Sequence, residues 1–412
     1  MNVPISQEAT SQWVNGSTEK TLTHLPIDSL TNDAERRFLN RLFWGAFAVR
    51  AAIGLVILLF DLKMFNGDNV HYEATGWGLS EIWSGNATWD TVTLHTASDF
   101  NTGMFFWVAA IYFLLGGRWI VVPLAVNWAV GAINALLIYH IAKHLFNADV
   151  ARRASLLVAF LPAFAFWSAL LYKEAMVLMF IALSIYATLQ LQRRLSVTYA
   201  LLLALSLLGL QMFRAYLSYL MGASIVLAFL AAPKQATNLS RFQRVAMLGI
   251  ILVFAAAFGG LQRARSHLES QLNVTALERI MSSRVELAMS GASGFLAEAD
   301  TSTVQGALSY LPKGMAYLLL TPAPWQFGSV RQAMAIPETI LWYGLIPFTL
   351  VGMAYAWRHL RSETIVIFAF TFSLTLFYAL FIGNIGTAVR ERTQMFAFWF
   401  IFAAAGLALK RQ

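Results

Sequence analysis

The 412-residue sequence contains no cysteine, so disulfides and thiolate metal sites are excluded. Charge is scarce too. Asp, Glu, Lys and Arg make up 12% of the chain, about half of the ~25% usual in soluble proteins. With 58% hydrophobic residues and a mean hydropathy of +0.61, no polar shell could cover a globular core of this size. A soluble globular enzyme, a disordered chain and a secreted disulfide scaffold are therefore excluded. The short alternating segments of a β-barrel are missing, whereas long continuous apolar runs are present. No Walker A loop, Gly-x-Ser-x-Gly elbow or dinucleotide fingerprint occurs, so nothing points to ATP-driven or serine-hydrolase chemistry. No repeat of the kind that marks the inverted halves of a secondary transporter is visible.

The class that remains is all-α: a polytopic transmembrane helical bundle of about ten spans, with a range of nine to twelve. The apolar runs fall at about 43–60, 119–142, 154–172, 175–191, 198–213, 215–232, 245–260, 338–356, 364–382 and 394–409. The run at 102–117 is too short to span and reads as re-entrant or interfacial. With the N-terminus inside, the inside segments are 1–42, 143–153, 192–197, 233–244, 357–363 and 410–412. Sixteen of the 29 Lys and Arg residues lie there, as the positive-inside rule requires. Both termini are then cytoplasmic, and the net charge of +8 calls for no nucleic-acid partner. The expected organisation is a cytoplasmic segment 1–42, a transmembrane module 43–260 with a first outer loop 61–118, an outer loop 261–337 and C-terminal spans 338–412. Within 261–290, Leu261, Leu268, Leu272, Leu277, Ile280 and Leu287 recur at helical spacing, which predicts an amphipathic helix on the outer surface. The sequons at Asn86 and Asn273 matter only in a secretory compartment.

Ionisable groups near membrane depth are costly, and each is a functional candidate. In Gly67-Asp68-Asn69-Val70-His71-Tyr72, a turn opens an amphipathic helix, and Asp68 reads either as its cap or as a reactive acid. Lys173 and Glu174 lie between two spans, as an interfacial anchor or as site residues. Arg214 lacks an acid in its own loop and calls for an anionic partner, phosphate or a lipid headgroup. Arg390 and Arg392 sit in a short outer hairpin, where a bound phosphate, or in part Glu391, would offset them. A proline-rich segment from Tyr310 through Trp325, ending at Arg331 and Glu338, predicts a short helix broken at the membrane surface. Arg50, inside the first span, faces either a buried acid or the outer surface. Histidines are scattered; only His140 and His144 have ligand spacing, at a basic inner span end.

The order of these features resembles the GT-C superfamily of membrane glycosyltransferases, of the protein mannosyltransferase and aminoarabinose transferase type. The residues that carry the resemblance are the Arg-bearing first span, Gly67-Asp68-Asn69-Val70-His71-Tyr72-Glu73-Ala74, Leu114-Leu115-Gly116, Ala142-Lys143-His144-Leu145-Phe146 with Ala151-Arg152-Arg153-Ala154, and a proline-containing span ending at Lys173-Glu174. They cover about 43–192. The later pieces Leu311-Pro312-Lys313-Gly314, Pro322-Ala323-Pro324-Trp325 and Gly386-Thr387-Ala388-Val389-Arg390 look like bacterial membrane proteins associated with surface polysaccharides. The resemblance implies inverting transfer of a sugar from a polyprenyl-phosphate donor to a glycan, lipid or protein acceptor at the periplasmic face of a bacterial inner membrane. It makes Asp68 the catalytic base and Glu174 a second carboxylate. The substrate-binding candidates are Lys173, Arg214, Arg390, Arg392, His71, Tyr72 and Arg331. No cofactor is required. Relatives often carry Asp-Glu where this chain has Asp68-Asn69, which leaves the use of a divalent metal open. The alternatives are an O-antigen or exopolysaccharide polymerase or ligase, for which Arg263, Arg265, Arg279, Arg284 and Arg331 are available, and a lipid-linked glycan flippase or transporter.

Overall fold

The computed structural model describes residues 27–62, 67–89, 102–231, 275–289, 294, 301–325 and 330–410. The chain divides into two units, residues 1–41 and 42–412. Every element among the described residues is a helix, apart from an isolated bridge between Gly294 and Asn384. The helices are α1 (Ile27–Leu59), α2 (Asp68–Trp83), α3 (Gly103–Leu115), α4 (Val121–Leu145), α5 (Ala148–Phe160), α6 (Pro162–Ala169), α7 (Glu174–Arg193), α8 (Val197–Ala231), α9 (Thr275–Met289), α10 (Val304–Leu320), α11 (Val330–His359), α12 (Arg361–Phe381), α13 (Ile385–Glu391) and α14 (Thr393–Leu409).

Six of these helices are long and apolar enough to cross a membrane, and the bent pairs α5–α6 and α13–α14 raise the number to eight. The protein is thus a polytopic helical membrane bundle. The expected ten spans shrink for two reasons. The run 245–260 lies outside the described residues. The runs 198–213 and 215–232 join in α8, interrupted only at Arg214 (φ −162°, ψ 82°). A charge within an apolar run reads as a loop in sequence. Here ion pairs satisfy it inside the protein, and no aqueous loop is needed. Helix α3, at 13 residues, is about 20 Å long and falls short of the ~30 Å hydrocarbon layer.

Local chemistry explains the element ends. The Asn147 side chain caps α5 by accepting from the Val150 N–H at 3.0 Å, and Thr303 caps α10 by accepting from Gly306. Gly116, with φ 63°, closes α3. Pro162 opens α6 and bends it 51° from α5. Two carbonyls lose their α-helical donors there: Val158, because Pro162 has no N–H, and Ala159, because the Ala163 N–H donates to Glu338 Oε2 at 2.6 Å. Arg50 fills both places. Its Nη1 donates to Ala159 O at 2.8 Å and to Ala46 O at 2.9 Å, its Nη2 to Val158 O at 3.4 Å, and its Nε to Ser168 Oγ at 2.7 Å. The intramembrane arginine of α1 therefore has neither of the partners expected from sequence. Among the described residues it serves broken backbone.

Two other expectations change. Helix α10 passes through Pro312 and ends only before the Thr321–Pro322 bond, so the broken helix is longer than anticipated. The amphipathic segment is described from Thr275, and it is not simply a surface helix. Arg284 is fully buried, with its guanidinium 4.6 Å from the centre of the Tyr310 ring.

Packing runs α2 on α3, α4 against α5 and α7, α7 along α8, α8 along α12, and α11 along α14. In the last pair a Cβ on Gly352 would run into the Phe402 carbonyl, and one on Gly406 into that of Phe348. Glycine at both positions lets the two backbones touch, as small residues do between membrane helices.

Candidate functional site

Two carboxylates stand at the first residue of a helix, Asp68 on α2 and Glu174 on α7. The cap of α2 is Gly67, not Asp68, and no side chain caps it. The Asp68 carboxylate turns instead to α13, where Oδ2 accepts from Arg390 Nη1 at 2.9 Å. Arg390 Nε is 3.3 Å from Glu174 Oε1. The same Glu174 oxygen accepts from Arg214 Nη2 at 3.2 Å. Arg214 Nη1 donates to Glu391 Oε2, and Glu391 Oε1 lies 3.7 Å from Arg390 Nε. Three acids and two arginines from α2, α7, α8 and α13 thus form one continuous charge network.

The network is graded in exposure. The Asp68 side chain is 52% exposed, that of Arg390 18%, and those of Glu174 and Arg214 about 5% or less. Behind Glu391 the order continues. The Tyr378 hydroxyl lies 3.1 Å from Glu391 Oε2, 2.8 Å from Gln394 Oε1 and 3.0 Å from the Tyr216 hydroxyl. Gln394 Nε2 donates to Glu391 Oε2 at 2.8 Å. The linked side chains around Glu391 hold one another, since each member fixes the next. Two rings flank Arg390, Trp167 at 5.9 Å and Tyr172 at 5.5 Å, within cation–π range. The Tyr172 hydroxyl comes so close to α2 that a Cβ on Gly67 would sit 2.7 Å from it.

Residues 170–173, between α6 and α7, carry Lys173. Side chains of α4 hold this junction. Asn127 Nδ2 donates to the carbonyls of Ser168 (3.3 Å), Leu170 (2.5 Å) and Tyr172 (3.2 Å), Trp128 Nε1 to Ala169 O (2.8 Å), and Asn134 Nδ2 to Ala175 O (2.9 Å). The Lys173 ammonium lies 5.9 Å from the centre of the Tyr72 ring. Burial, aided by nearby Arg214 and Arg390, pushes its pKa down to about 7. Burial, with the Glu174 and Asp68 charges, raises that of the Tyr72 phenol.

Residues 101–258 match the family model of the dolichyl-phosphate-mannose-protein mannosyltransferases. The resemblance to membrane glycosyltransferases read from 43–192 thus holds independently over the part the two ranges share. No curated protein matches the sequence. Solved structures with a similar chain path include the Archaeoglobus fulgidus oligosaccharyltransferase in its apo form, at 12% identity and a TM-score of 0.46, covering 90% of this chain and 50% of that one. The archaeal oligosaccharyltransferase AglB from the same organism, in complex with an inhibitory peptide and a dolichol-phosphate, gives 14% identity and a TM-score of 0.43, with 89% and 50% covered. The chain spans about half the length of these proteins.

Of the residues singled out in sequence, Asp68, Tyr72, Lys173, Glu174, Arg214 and Arg390 come together. Arg214 is enclosed by Glu174, Glu391 and Tyr378, so it braces the site and presents no open face. His71 lies one turn along α2 from Asp68, its ring against Phe105 and its Nδ1 3.5 Å from Thr75 Oγ1. Arg392 points elsewhere. It is fully buried, donates to Thr321 O and Thr339 Oγ1, and lies 3.7 Å from Glu338. The Arg331 side chain falls outside the described residues. Glu391 does not simply offset its two arginine neighbours, because its main partner is Arg214. Sequence reading missed Tyr216, Tyr378, Gln394 and Asn127. The one available signal was their polarity within or beside apolar runs. Among the described residues no group of three His, Cys, Asp or Glu is placed to hold a metal. The carboxylates of the site face guanidinium groups instead.

Proposed function

We propose that the protein is an integral-membrane glycosyltransferase that moves a sugar from a polyprenyl-phosphate donor to an acceptor hydroxyl on a glycan, lipid or protein. The site faces the periplasmic side of a bacterial inner membrane, and both termini are cytoplasmic. The observation that carries this reading is the Asp68–Arg390–Glu174 contact at 2.9 and 3.3 Å. It joins a half-exposed acid to a fixed cation, which are the two groups a lipid-phosphate leaving group and an acceptor hydroxyl need. The match of residues 101–258 to the mannosyltransferase family supports the same chemistry.

In this mechanism Asp68 takes the proton of the acceptor hydroxyl. The acceptor oxygen attacks the anomeric carbon, the bond from that carbon to the phosphate oxygen breaks, and the polyprenyl phosphate leaves with the electron pair. The anomeric configuration inverts. Arg390 exchanges Asp68 for the phosphate, which frees the base, and Lys173 supplies a second positive charge to the leaving group. Glu174, Glu391 and Arg214 keep Arg390 in place, and Tyr72 and His71 line the approach to Asp68.

Asp68→Asn is the direct test. In membranes supplied with polyprenyl-phosphate sugar, transfer is expected to fall by about 10²–10⁴-fold with expression unchanged. Full transfer by this variant would overturn the proposal. The length of the product separates a single-sugar transferase from a polymerase.

A further inference from the structure

A small cavity is lined in part by Glu174 and not by Asp68. Its volume is about 20 Å³, above the roughly 10–15 Å³ that one water requires. Its walls come from α1, α4, α5, α6, α7 and α14, and include Arg50, Asn134, Phe164, Glu174 and Leu178. Two buried acceptors on these walls have no hydrogen-bond partner, Glu174 Oε2 and Asn134 Oδ1. Glu174 and Asn134 are 4% and 2% exposed. Each of the two uses its other polar atom elsewhere: Glu174 Oε1 on Arg214 and Arg390, Asn134 Nδ2 on Ala175 O. A buried acceptor without a donor is costly, and more so when charged, so native proteins supply one. Arg50 also lines the cavity. It has five N–H groups and makes four hydrogen bonds, the longest from Nη2 at 3.4 Å.

We propose that this cavity is a bound-water site. One water donates to Glu174 Oε2 and to Asn134 Oδ1 and accepts from Arg50 Nη2, which gives the three bonds typical of buried water. The water fixes the second Glu174 oxygen and so leaves the first directed at Arg214 and Arg390. Asn134 then acts as a positioning residue for the charge network, through a molecule that touches neither Asp68 nor substrate. The water also joins Arg50 to the one carboxylate on the cavity wall. Its chemistry follows from the groups on the walls that have bonds left to make: the open oxygens of Glu174 and Asn134 and the Arg50 guanidinium, beside a Ser168 hydroxyl already bonded to Arg50 and Phe164 O.

X-ray radiolytic labelling of the protein in lipid nanodiscs tests the assignment, because radiolysis of a bound water releases a hydroxyl radical beside the side chains that surround it. Phe164 lines the cavity and is 5% exposed; Phe400 and Phe402, at 1% and 0%, do not line it. Phe164 is expected to be oxidised several-fold faster than Phe400 or Phe402. After rapid mixing with ¹⁸O water it should take up label later than exposed Trp325. Labelling of Phe164 at the rate of Phe400 overturns the site. Asn134→Leu and, as a variant that spares every polar group, Ala163→Val should each lower Phe164 oxidation to the comparison level. Unchanged labelling in a folded Ala163→Val protein would also overturn it. The readout needs no sugar transfer, so failure here leaves the proposed activity standing, and failure of that activity leaves the water site standing.

Discussion

Two networks of arginine and acid among the described residues, one around Arg390 and one around Arg392, differ in what the charges face. At the Asp68 network, arginines from α8 and α13 meet carboxylates from α2, α7 and α13, and exposure rises to 52% at Asp68. At the second, Arg392 and Glu338 are 0% and 3% exposed, and each also bonds to backbone: Arg392 to Thr321 O at the end of α10, beside its bond to the Thr339 hydroxyl, and Glu338 to the Ala163 N–H at the start of α6. The sealed pair stands where prolines interrupt helices, and its charges replace hydrogen bonds that the interruption removed. The graded network has an open end. In a membrane bundle, then, a buried ion pair alone does not mark a reactive site. What its other atoms bond to, and whether the chain of contacts reaches solvent, separates support from chemistry.

The comparison breaks if the two networks respond alike to substitution. Asp68→Asn should have the largest effect on transfer, as set out above, and leave thermal unfolding within about 0.5 kcal/mol of the parent. Glu338→Gln should do the reverse. It leaves Arg392 buried without its carboxylate, which costs about 3–5 kcal/mol, seen as a lower unfolding temperature in detergent or nanodiscs. Surviving folded protein should bind donor normally. A smaller effect should appear in pH dependence. With its pKa lowered to about 7, Lys173 is charged below that pH and neutral above it. Donor affinity should therefore fall several-fold as pH rises through about 7 to about 8.5. Lys173→Arg, which keeps its charge over that range, should flatten the profile; an unchanged profile would remove Lys173 from phosphate binding. Smallest of all, Gly67→Ala should push the Tyr172 ring away from α2 and lower transfer a few-fold, by about 1 kcal/mol or less. Gly67 is extended, at φ −176°, so a side chain meets a steric limit and no backbone strain; transfer equal to the parent would show that Tyr172 yields freely.

Much of the frame was legible in sequence. Apolar runs located the spans, since a continuous apolar stretch has no other stable environment at this length. Asp68, Lys173, Glu174, Arg214 and Arg390 were visible because a charge beside an apolar run is expensive unless used. Arg392 shows where such reasoning stops. It lies two residues from Arg390 and looks like the same feature. Two helical steps rotate a side chain by about 200°, and the chain bends 54° between α13 and α14, so the two arginines serve opposite networks. For Arg50 the sequence offered a buried acid or the outer surface, and its partners are instead backbone carbonyls of α5, more than 100 residues away.

The sequence by itself determined that this chain is a helical membrane protein, and which few charges had to be accounted for. Composition and hydrophobic run length act locally, and local information suffices for both. Only the tertiary structure decided which charge meets which. The Arg390–Asp68 contact joins residues 322 positions apart, and no local preference encodes a pairing over that distance. It follows from the packing of α2, α7, α8 and α13 around one another, where the low dielectric of the bundle requires every buried charge to find a partner.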